Sequence, residues 1–413
     1  MKQKPLSLLC LTLTLILTLC LAQSAFAADQ YKVWMPPFGT EDALDKEFWE
    51  TELKPFAQEK GIDIVVEITP WAGYEEKYLT GISSGSGPDV GYMYVEMVND
   101  FINMGALLPL DDYLIEEDFD HYFYLKNGEF QGKIYMFPII VGNPRMVVFN
   151  MEILRNSGIE AAPKTWDEFV EAGLKVKETQ PDIYPFLQNW GDTNTGSLNS
   201  IFFPYLWQAG GVIFNDDYSE LTLDSPECVA GAQFLYDLRF THGIMPELVT
   251  SLTGADAQNM FLEGKVAMFD GSSSFVNSRV IPAGIDWDYA ILKGEKQATF
   301  VALDCLVLPS NTKDPDIGME IVRFMTSGPV MTKFHREMSM FPPVARDEEY
   351  QDLAEFKVMY EDPNIEFNNY PAVAGMFKVN DMLYKNMQLL MLDQMTPEEV
   401  MRSVVDYYNT AVK

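Results

Sequence analysis

The chain has 413 residues, of which 47% are hydrophobic and 13% aromatic, and its formal net charge is −32. This length exceeds what one hydrophobic core usually supports, and it predicts two domains. The charge excludes nucleic acid as a natural partner, because neutralising phosphates requires Lys and Arg, and it disfavours anionic membrane surfaces.

The N-terminal segment, residues 1–27, is typical of an export signal. Lys2 and Lys4 precede an apolar run at residues 6–21, and Ala25-Phe26-Ala27 supplies a small-x-small cleavage site. The run is shorter than the ~20 residues that span a membrane. We therefore expect a soluble periplasmic protein that begins at Ala28 after cleavage.

Cys20 leaves a second localisation open. It ends the apolar run, where a lipoprotein would carry its acylated cysteine. Such sites have a small residue just before the cysteine, whereas this chain has Leu19. A tethered lipoprotein is thus the second choice.

Strands and helices alternate at the start of the mature chain. Residues 31–34, 62–68 and 89–95 are predicted strands, and helices are predicted at residues 41–60 and from Tyr74 onward. The second strand is almost continuously apolar, as a strand buried on both faces should be. This order predicts a parallel sheet with right-handed crossovers.

The elements continue without a linker. An extended segment and further strands are predicted at residues 132–142, 146–149, 265–269 and 300–308. Helix starts are marked by Thr165-Trp166-Asp167-Glu168, by Ser225-Pro226 and by Asp314-Pro315, and a last helix covers residues 397–411. Because no linker or repeat divides the chain, the domains are expected to be interleaved.

Short motifs then occur in a fixed order along the mature chain. They are Ser84-Gly85-Ser86-Gly87-Pro88-Asp89-Val90, Gly105-Ala106-Leu107-Leu108-Pro109-Leu110-Asp111-Asp112-Tyr113, Gly132-Lys133-Ile134-Tyr135-Met136-Phe137-Pro138, Val148-Phe149-Asn150, Pro163-Lys164-Thr165-Trp166-Asp167-Glu168-Phe169, Trp207-Gln208-Ala209-Gly210-Gly211 and Gly264-Lys265-Val266-Ala267-Met268. In this order and spacing the chain resembles the extracellular solute-binding proteins of ABC importers, in the family that binds sugars and oligosaccharides and includes maltose-binding protein.

The resemblance implies an α/β fold of the type II periplasmic binding protein class. Two interleaved lobes are joined by a hinge, with the ligand in the cleft between them. It implies a first lobe of residues 28–141 and 297–333 and a second lobe of residues 142–296 and 334–413. The chain would cross between the lobes near residues 137–143, 293–300 and 334–346.

The resemblance also implies the partners. We expect a small-molecule saccharide as ligand, the membrane permease subunits of an ABC importer as partner, no cofactor, no metal, no catalysis and a monomer. In this division Cys228 and Cys305 fall in different lobes. They are not expected to form a disulfide, because the bond needs Cα atoms within about 7 Å and would oppose hinge motion.

A sugar presents hydroxyls at its edges and C–H groups on its faces, so its site needs aromatic faces and planar polar groups. By resemblance and position at strand ends, the first-lobe candidates are Phe38, Gly39, Thr40, Trp71, Tyr94 and Glu96. The candidates at the crossing and in the second lobe are Asn143, Arg145, Trp190, Asp192, Asn199, Asp270, Ser272, Ser273 and Phe275, and Asp304 and Tyr370 complete the set.

Two of these expectations are specific. Trp190 is expected to stack on the sugar, and Glu96 with Arg145 is expected to clasp it from opposite lobes. Serines stand where sugar binders of the family commonly carry a Trp, after Ala267-Met268, which weakens the case for a long malto-type glucan. A neutral sugar is favoured over an acidic one.

Other functions are weighed against binding. Gly81-Ile82-Ser83-Ser84-Gly85 matches Gly-x-Ser-x-Gly, but a helix precedes it where a nucleophile elbow needs a strand, so the match is due to chance. A secreted glycoside-active enzyme stays open as an alternative, because an acidic chain offers many carboxylate pairs. A binding protein for a non-sugar polar solute is the other alternative, and an adhesin would have repeats that this chain lacks.

Overall fold

A computed structural model describes most of the chain that follows the predicted export signal. The described residues are 29–38, 42–71, 73–130, 132–215, 218–339, 343–349, 356, 358–359, 362–369, 373 and 375–412. The predicted signal at residues 1–27 lies outside them. None of the helices in these ranges combines the length and apolarity that a membrane crossing demands.

The strands are short, and those predicted fall close to their expected positions. In chain order they are β1 (Gln30–Met35), β2 (Asp63–Ile68), β3 (Val90–Tyr94), β4 (Glu129–Phe130), β5 (Lys133–Ile134), β6 (Phe137–Gly142), β7 (Arg145–Asn150), β8 (Tyr184–Leu187), β9 (Val266–Ser272), β10 (Trp287–Ala290), β11 (Gln297–Phe300), β12 (Ala302–Val307) and β13 (Ile365–Asn368). Strands β8, β10, β11 and β13 were not predicted.

The helices lie between and around these strands. They are α1 (Asp42–Lys60), α2 (Tyr74–Ser84), α3 (Val95–Asn103), α4 (Glu116–His121), α5 (Met151–Asn156), α6 (Trp166–Thr179), α7 (Leu198–Ile201), α8 (Phe203–Gln208), α9 (Pro226–Tyr236), α10 (Gly254–Leu262), α11 (Ser273–Phe275), α12 (Pro315–Met325), α13 (Gly328–Phe334), α14 (Met376–Met391) and α15 (Pro397–Tyr407). Tight 3₁₀ turns occur at Leu125–Gly128, Thr195–Ser197 and Glu247–Thr250, and wider π turns at Asp237–Thr241, Val276–Val280, His335–Ser339 and Tyr408–Val412.

Helix starts follow the capping signals in the sequence. The Thr165 hydroxyl accepts from the Glu168 N–H at 3.2 Å, and the Glu168 carboxylate accepts from the Thr165 N–H at 3.3 Å. Asp314 caps α12 in the same way, through the Ile317 N–H at 3.2 Å. The predicted capping box of α6 is confirmed, and each cap satisfies N–H groups that a helix start leaves without partners.

The first sheet has five strands in the order β2-β1-β3-β12-β6. Strands β2, β1 and β3 are parallel, with Val33 beside both Val66 and Val90, whereas β12 runs antiparallel to β3 and β6. The predicted parallel arrangement of the first three strands is confirmed. Their carboxyl ends therefore open at one edge, where binding sites of α/β sheets form.

The second sheet has four strands in the order β10-β7-β9-β8. Strand β7 is antiparallel to both β10 and β9, and β8 is parallel to β9. Strands β7 and β9 are buried along almost their whole length, so helices cover this sheet on both faces.

The chain passes between the two sheets in two short connections. Strand β6 of the first sheet ends at Gly142, and β7 of the second begins at Arg145, so Asn143 and Pro144 make the first crossing. Strand β11, which pairs in parallel with β13, ends at Phe300, and β12 of the first sheet begins two residues later.

The third crossing, expected near residues 334–346, stays a prediction. At the end of that range the Phe123 N–H donates to the Val344 carbonyl at 2.9 Å, and the Arg346 N–H donates to that of His121 at 3.0 Å. These contacts hold the segment against the loop after α4, on the side of the first sheet. Phe356, in contrast, packs on Trp287 of β10 in the second sheet, 6.1 Å between ring centroids.

A buried acid holds residues 343–348 in this position. The Glu348 carboxylate accepts from the N–H groups of Val344 and Ala345 at 2.7 Å each, and it bonds His335 Nδ1 at 2.7 Å. Both partners of the His335–Glu348 pair are fully buried. The segment is thus folded back onto π turn His335–Ser339, and this long-range pairing has no local sequence signal.

Two cysteines lie in the described chain, Cys228 in α9 and Cys305 in β12, and both are buried. The structure forms no disulfide between them, as the sequence predicts.

The loop that carries α4 is anchored by a buried ion pair. Asp118 is 3% exposed, and Arg323 of α12 donates to it from Nε at 2.9 Å and from Nη2 at 2.8 Å. We predict that Asp118→Ala lowers the free energy of unfolding by about 3–5 kcal/mol, because Arg323 then keeps a half-buried charge without its partner. Urea denaturation measures this.

Asp381→Ala is the matched control, because its ion pair with Lys385 is exposed and 2.7 Å long. That change should alter stability by no more than about 1 kcal/mol. Equal losses in the two variants would contradict the anchoring role of Asp118.

Candidate functional site

The predicted site residues of the first sheet meet where it faces the first crossing. Tyr94 ends β3, and Asp304 of β12 is its cross-strand partner. On its other side Asp304 pairs with Ile140 of β6, close to the end of that strand. Arg145 begins β7 just beyond the crossing. The sheet topology thus brings an aromatic ring, a carboxylate and a guanidinium to one edge.

Aromatic rings form one wall of this edge. Phe38, Trp71 and Tyr94 are partly exposed, with Trp71 6.1 Å from Phe38 and 6.4 Å from Tyr94 between ring centroids. Behind them lie the buried rings of Tyr74 and Tyr92. The Trp71 indole N–H donates to the Pro37 carbonyl at 3.2 Å, which fixes the ring. Partly exposed rings of this kind can receive the C–H face of a ligand.

Asp304 lies among these rings. Its side chain is partly exposed, and it shares a sheet face with Tyr94, its direct cross-strand partner. Burial raises the pKa of the Asp304 carboxyl to about 6, while a hydrogen bond from the Tyr92 side chain and the positive charge of Arg145 act in the opposite direction. Asp304 was among the weaker candidates in the sequence, yet it is the predicted acid that the structure places at the aromatic wall.

Arg145 is held by three contacts. Its Nη1 donates to the Asn143 carbonyl at 2.7 Å, and its guanidinium carbon lies 5.2 Å from the centroid of the Phe300 ring. The Thr299 hydroxyl donates to the Arg145 carbonyl at 2.5 Å. These contacts join the ends of β6, β7 and β11, so the guanidinium has a defined position beside the crossing.

Asn143 and the serines after β9 secure the crossing itself. Asn143 Oδ1 accepts from the Ser274 N–H at 3.1 Å and from the Ser273 hydroxyl at 3.4 Å. Ser272 caps α11 by accepting from the Phe275 N–H at 3.3 Å. Ser273 is 1% and Phe275 is 5% exposed. These groups bond or pack within the protein, with Asn143 and Ser272 partly exposed, and their contact with a ligand stays a prediction.

Asp270 is enclosed in the second lobe. It is 6% exposed, and its carboxylate accepts from the Tyr205 hydroxyl at 2.7 Å and from Gln188 Nε2 at 2.6 Å. Burial raises the pKa of Asp270 to about 7, although both hydrogen bonds act to lower it. Its carboxylate oxygens accept hydrogen bonds within the core, and the expected contact with ligand stays a prediction.

Trp190 is also a core residue. Its exposed fraction is 0%, its indole N–H donates to Gln188 Oε1 at 2.7 Å, and its ring stacks on Tyr384 of α14 at 5.9 Å. Gln388 Nε2 donates to its carbonyl at 2.7 Å. In this structure the ring stacks on a tyrosine of α14 and not on an exposed surface, so the structure gives no support to its stacking on a sugar, which stays a prediction.

Asp192 and Asn199 have structural contacts too. The Asp192 carboxylate accepts from the Gly254 N–H at 3.2 Å, from the Ser197 hydroxyl at 3.0 Å and from Asn189 Nδ2 at 2.5 Å. It thus fixes the polar loop to the start of α10. Asn199 is 7% exposed. Asp192 is partly exposed, and the ligand contacts expected of Asp192 and Asn199 stay predictions.

The remaining candidates lie outside the described part of the chain. These are Gly39, Thr40 and Tyr370, together with the side chain of Glu96, whose backbone begins α3. The clasp between Glu96 and Arg145 stays a prediction. The acid that the described residues place beside Arg145 is Asp304.

Sequence reasoning missed Tyr92 and Phe300. Tyr92 lies two residues before Tyr94 in β3, so the period of 2 in a strand puts both on one face. That pattern was available in the sequence. Phe300 begins a predicted strand and ends β11 in the structure, but its contact with Arg145 depends on the crossing and has no local signal.

The chain is similar to known proteins over most of its length. The family model of the bacterial extracellular solute-binding protein matches residues 39–330. A binding protein of Brucella abortus is 26% identical over 371 residues, which cover 86% of this chain and 87% of that protein. A maltotriose-binding protein of Pyrococcus abyssi is 24% identical over 282 residues, 66% of this chain and 57% of that protein.

A solved structure shares the fold. The ABC transporter solute-binding protein of Thermotoga lettingae, bound with α-D-tagatose, superposes with a TM-score of 0.78 at 23% identity, covering 92% of this chain and 99% of that one. At this identity the likeness concerns the fold, and it confirms the predicted two-lobed α/β architecture.

The burial of Trp190 leads to a prediction on stability. Trp190→Ala should lower the free energy of unfolding by about 3–5 kcal/mol, as expected when a buried aromatic ring is removed from a core. Trp71→Ala, which removes a partly exposed ring, should lower it by less. Urea denaturation of both variants decides this; a smaller loss for Trp190→Ala than for Trp71→Ala would contradict the assignment.

Asp270 leads to a prediction on pH. Its pKa is about 7 in the fold and ~3.9 in the unfolded chain, so the folded state binds more protons between these values. Stability should therefore fall as pH rises from about 4 to about 7, with Asp270 contributing on the order of 4 kcal/mol. Urea denaturation across this range should give a shallower fall for Asp270→Asn. Parallel curves of stability against pH for wild type and variant would contradict this role of Asp270.

Proposed function

The chain belongs to the bacterial extracellular solute-binding protein family, and we propose that it binds a saccharide between its two lobes and delivers it to the permease of an ABC importer. The observation that carries this proposal is the edge where Trp71 and Tyr94 present aromatic surface beside Asp304 and Arg145. Aromatic faces suit the C–H surface of a sugar, and the charged groups suit its hydroxyls.

Relatives support a saccharide ligand. The Pyrococcus abyssi relative is named for maltotriose, and the Thermotoga lettingae structure contains α-D-tagatose. The first sugar is an oligosaccharide and the second a monosaccharide, and both are uncharged. Both proteins are thus associated with saccharides, but with saccharides of different length.

The proposal includes lobes, location and partners. The first lobe is built on the five-stranded sheet and the second on the four-stranded sheet, with the crossings as the hinge. The family is extracellular, and we propose cleavage after Ala27 and a soluble monomer in the periplasm. The permease subunits would receive the loaded protein.

A glycoside-active enzyme is the rival function. Glycosidases place two carboxyl groups about 5–10 Å apart across the scissile bond. Of the predicted acids whose side chains are described, Asp304 stands at the aromatic wall, whereas Asp192 and Asp270 are enclosed by internal hydrogen bonds. This arrangement favours binding over hydrolysis.

A thermal-shift screen against mono- and oligosaccharides tests the proposal. A bound sugar should raise the unfolding midpoint, since it binds the folded state only, and chromatography of the same mixtures should recover it unchanged. Release of a shorter product would establish the enzyme instead. If none of the sugars shifts the midpoint and an amino acid or peptide does, the saccharide proposal is wrong.

A change of Trp71 tests whether the aromatic wall contacts the sugar. Trp71→Ala should weaken binding of the sugar found in the screen by roughly 1–3 kcal/mol, about 5- to 150-fold in Kd, which is typical of removing an aromatic anchor. Calorimetry measures it. Tyr218→Ala is the control, because Tyr218 is 57% exposed on the second lobe and should leave the Kd unchanged. Equal affinities of wild type and Trp71→Ala would remove Trp71 from the site.

A further inference from the structure

We infer that Asp100 is a latch between the two lobes, which holds them together by bonding the start of α14 and releases it when the lobes separate. The inference rests on the proposed function, because it takes the crossings as the hinge on which the lobes move. It assigns a role to a residue outside the aromatic wall, and it does not depend on which ligand the cleft takes.

The latch is a hydrogen bond between two helices that belong to different sheets. The Gly375 N–H donates to the Asp100 carboxylate at 2.7 Å. Asp100 lies in α3, and Gly375 directly precedes α14, which packs against α3. Neither residue belongs to the crossing segments, so the bond joins the lobes through a second connection besides the chain itself.

Each end of the bond is fixed to its own lobe. Helix α3 packs on β3 and β12 of the first sheet, and its Phe101 ring lies 6.4 Å from that of Tyr78 in α2. Helix α14 is docked on the second lobe, since the Tyr384 ring stacks on Trp190 and the Tyr384 hydroxyl donates to the Asp192 carbonyl at 3.0 Å. A rotation of one lobe against the other therefore moves the acceptor relative to the donor.

The start of α14 has no acceptor of its own for this N–H. In α6 the residue at the third helical position, Glu168, accepts from the N–H of the cap residue. The same position of α14 is Lys378, whose ammonium group cannot accept. Asp100 of the other lobe supplies the missing acceptor, and its negative charge is favourable at a helix start.

The bond depends closely on the arrangement of the lobes. It is 2.7 Å long, and a hydrogen bond is lost once its heavy atoms are about 3.6 Å apart. A separation of about 1 Å at this place therefore releases Asp100. The residue is partly exposed, so water takes the place of the N–H when the lobes open. The bond thus favours the closed arrangement, and a ligand held between the lobes dissociates more slowly because of it.

Hydrogen exchange of the Gly375 N–H tests the latch. Maltotriose and D-tagatose are the probes, and labelling with ¹⁵N-glycine lets NMR follow this proton in the whole protein. In wild type a bound probe should slow its exchange at least fivefold, because closure keeps the bond formed for a larger share of the time. In Asp100→Ala the same probe should change the exchange less than twofold. The Gly211 N–H is the internal control, because it donates to the Leu206 carbonyl within the second lobe at 3.0 Å and should exchange equally with and without the probe.

Binding measurements provide the second readout. Asp100→Ala should raise the Kd of the bound probe roughly 3- to 30-fold, mainly through faster dissociation, since it removes a hydrogen bond to a charged group from the closed state. Asp100→Asn keeps an acceptor oxygen without the charge, so its Kd should lie between the two. Asp381→Asn is the control: it removes one negative charge from an exposed position of α14 and should leave the Kd unchanged. A rise as large as that of Asp100→Ala would overturn the inference.

The outcomes separate the two proposals. If a probe binds wild type but the Gly375 N–H exchanges equally with and without it, the saccharide function stands, Asp100 is a static cap and the latch is overturned. That comparison uses wild type alone, so it holds even if Asp100→Ala does not fold. An unchanged Kd in a folded Asp100→Ala also overturns the latch.

The remaining case is a wild type that binds neither the probes nor any sugar of the screen. The proposed function then fails, and small-angle scattering of the ligand-free proteins decides the latch. Asp100→Ala should have a larger radius of gyration than wild type, because its lobes separate more often, and equal radii would overturn the inference.

Discussion

The geometry of the site depends on the two-residue crossing that joins β6 to β7. Gly142 has φ 114° and Asn143 has φ 47°, a region that L-residues avoid and that Gly and Asn tolerate best. Asn143 then accepts from the N–H of Ser274, and the Pro144 carbonyl accepts from that of Ser273 at 3.2 Å. The turn is therefore tied to the end of β9. Because it is so short, the edges of the two sheets must face each other, and Arg145 must enter beside the first sheet.

The strand register determines the surroundings of the two acids Asp270 and Asp304. Asp270 and Asp304 both lie on strands next to the crossing, and burial raises the pKa of each. Asp270 faces Tyr205 and Gln188 in the core, whereas Asp304 faces the aromatic wall. The pairing of β12 with β6 shifts at Asp304 and Cys305, where β6 has an extra residue. Bulges of this kind turn a side chain toward a site, so a local irregularity of the sheet gives Asp304 its place.

The sequence predicted more of the fold than of the site. Alternating strands and helices, the Thr165 cap and the ordered family motifs fixed the sheet type and lobe architecture, because those signals are local or cumulative. The site was predicted from residue types near strand ends, which cannot distinguish a ring at a cleft from one in a core. The burial of Trp190 could not be read from the sequence, because its partner Tyr384 comes 194 positions later in the chain, and the buried His335–Glu348 pair has no local sequence signal either.

The electrostatics of the cleft follow from a requirement of the fold. Arg145 starts β7 next to a low-dielectric sheet edge, where an isolated charge is expensive to desolvate. The Asn143 carbonyl and the Phe300 ring both contact the guanidinium. Burial raises the pKa of Asp304, on the strand paired with β6, while Tyr92 and Arg145 act in the opposite direction. The position of Arg145 therefore follows from the short crossing and its contacts, because a longer turn would allow the charge to move out into water.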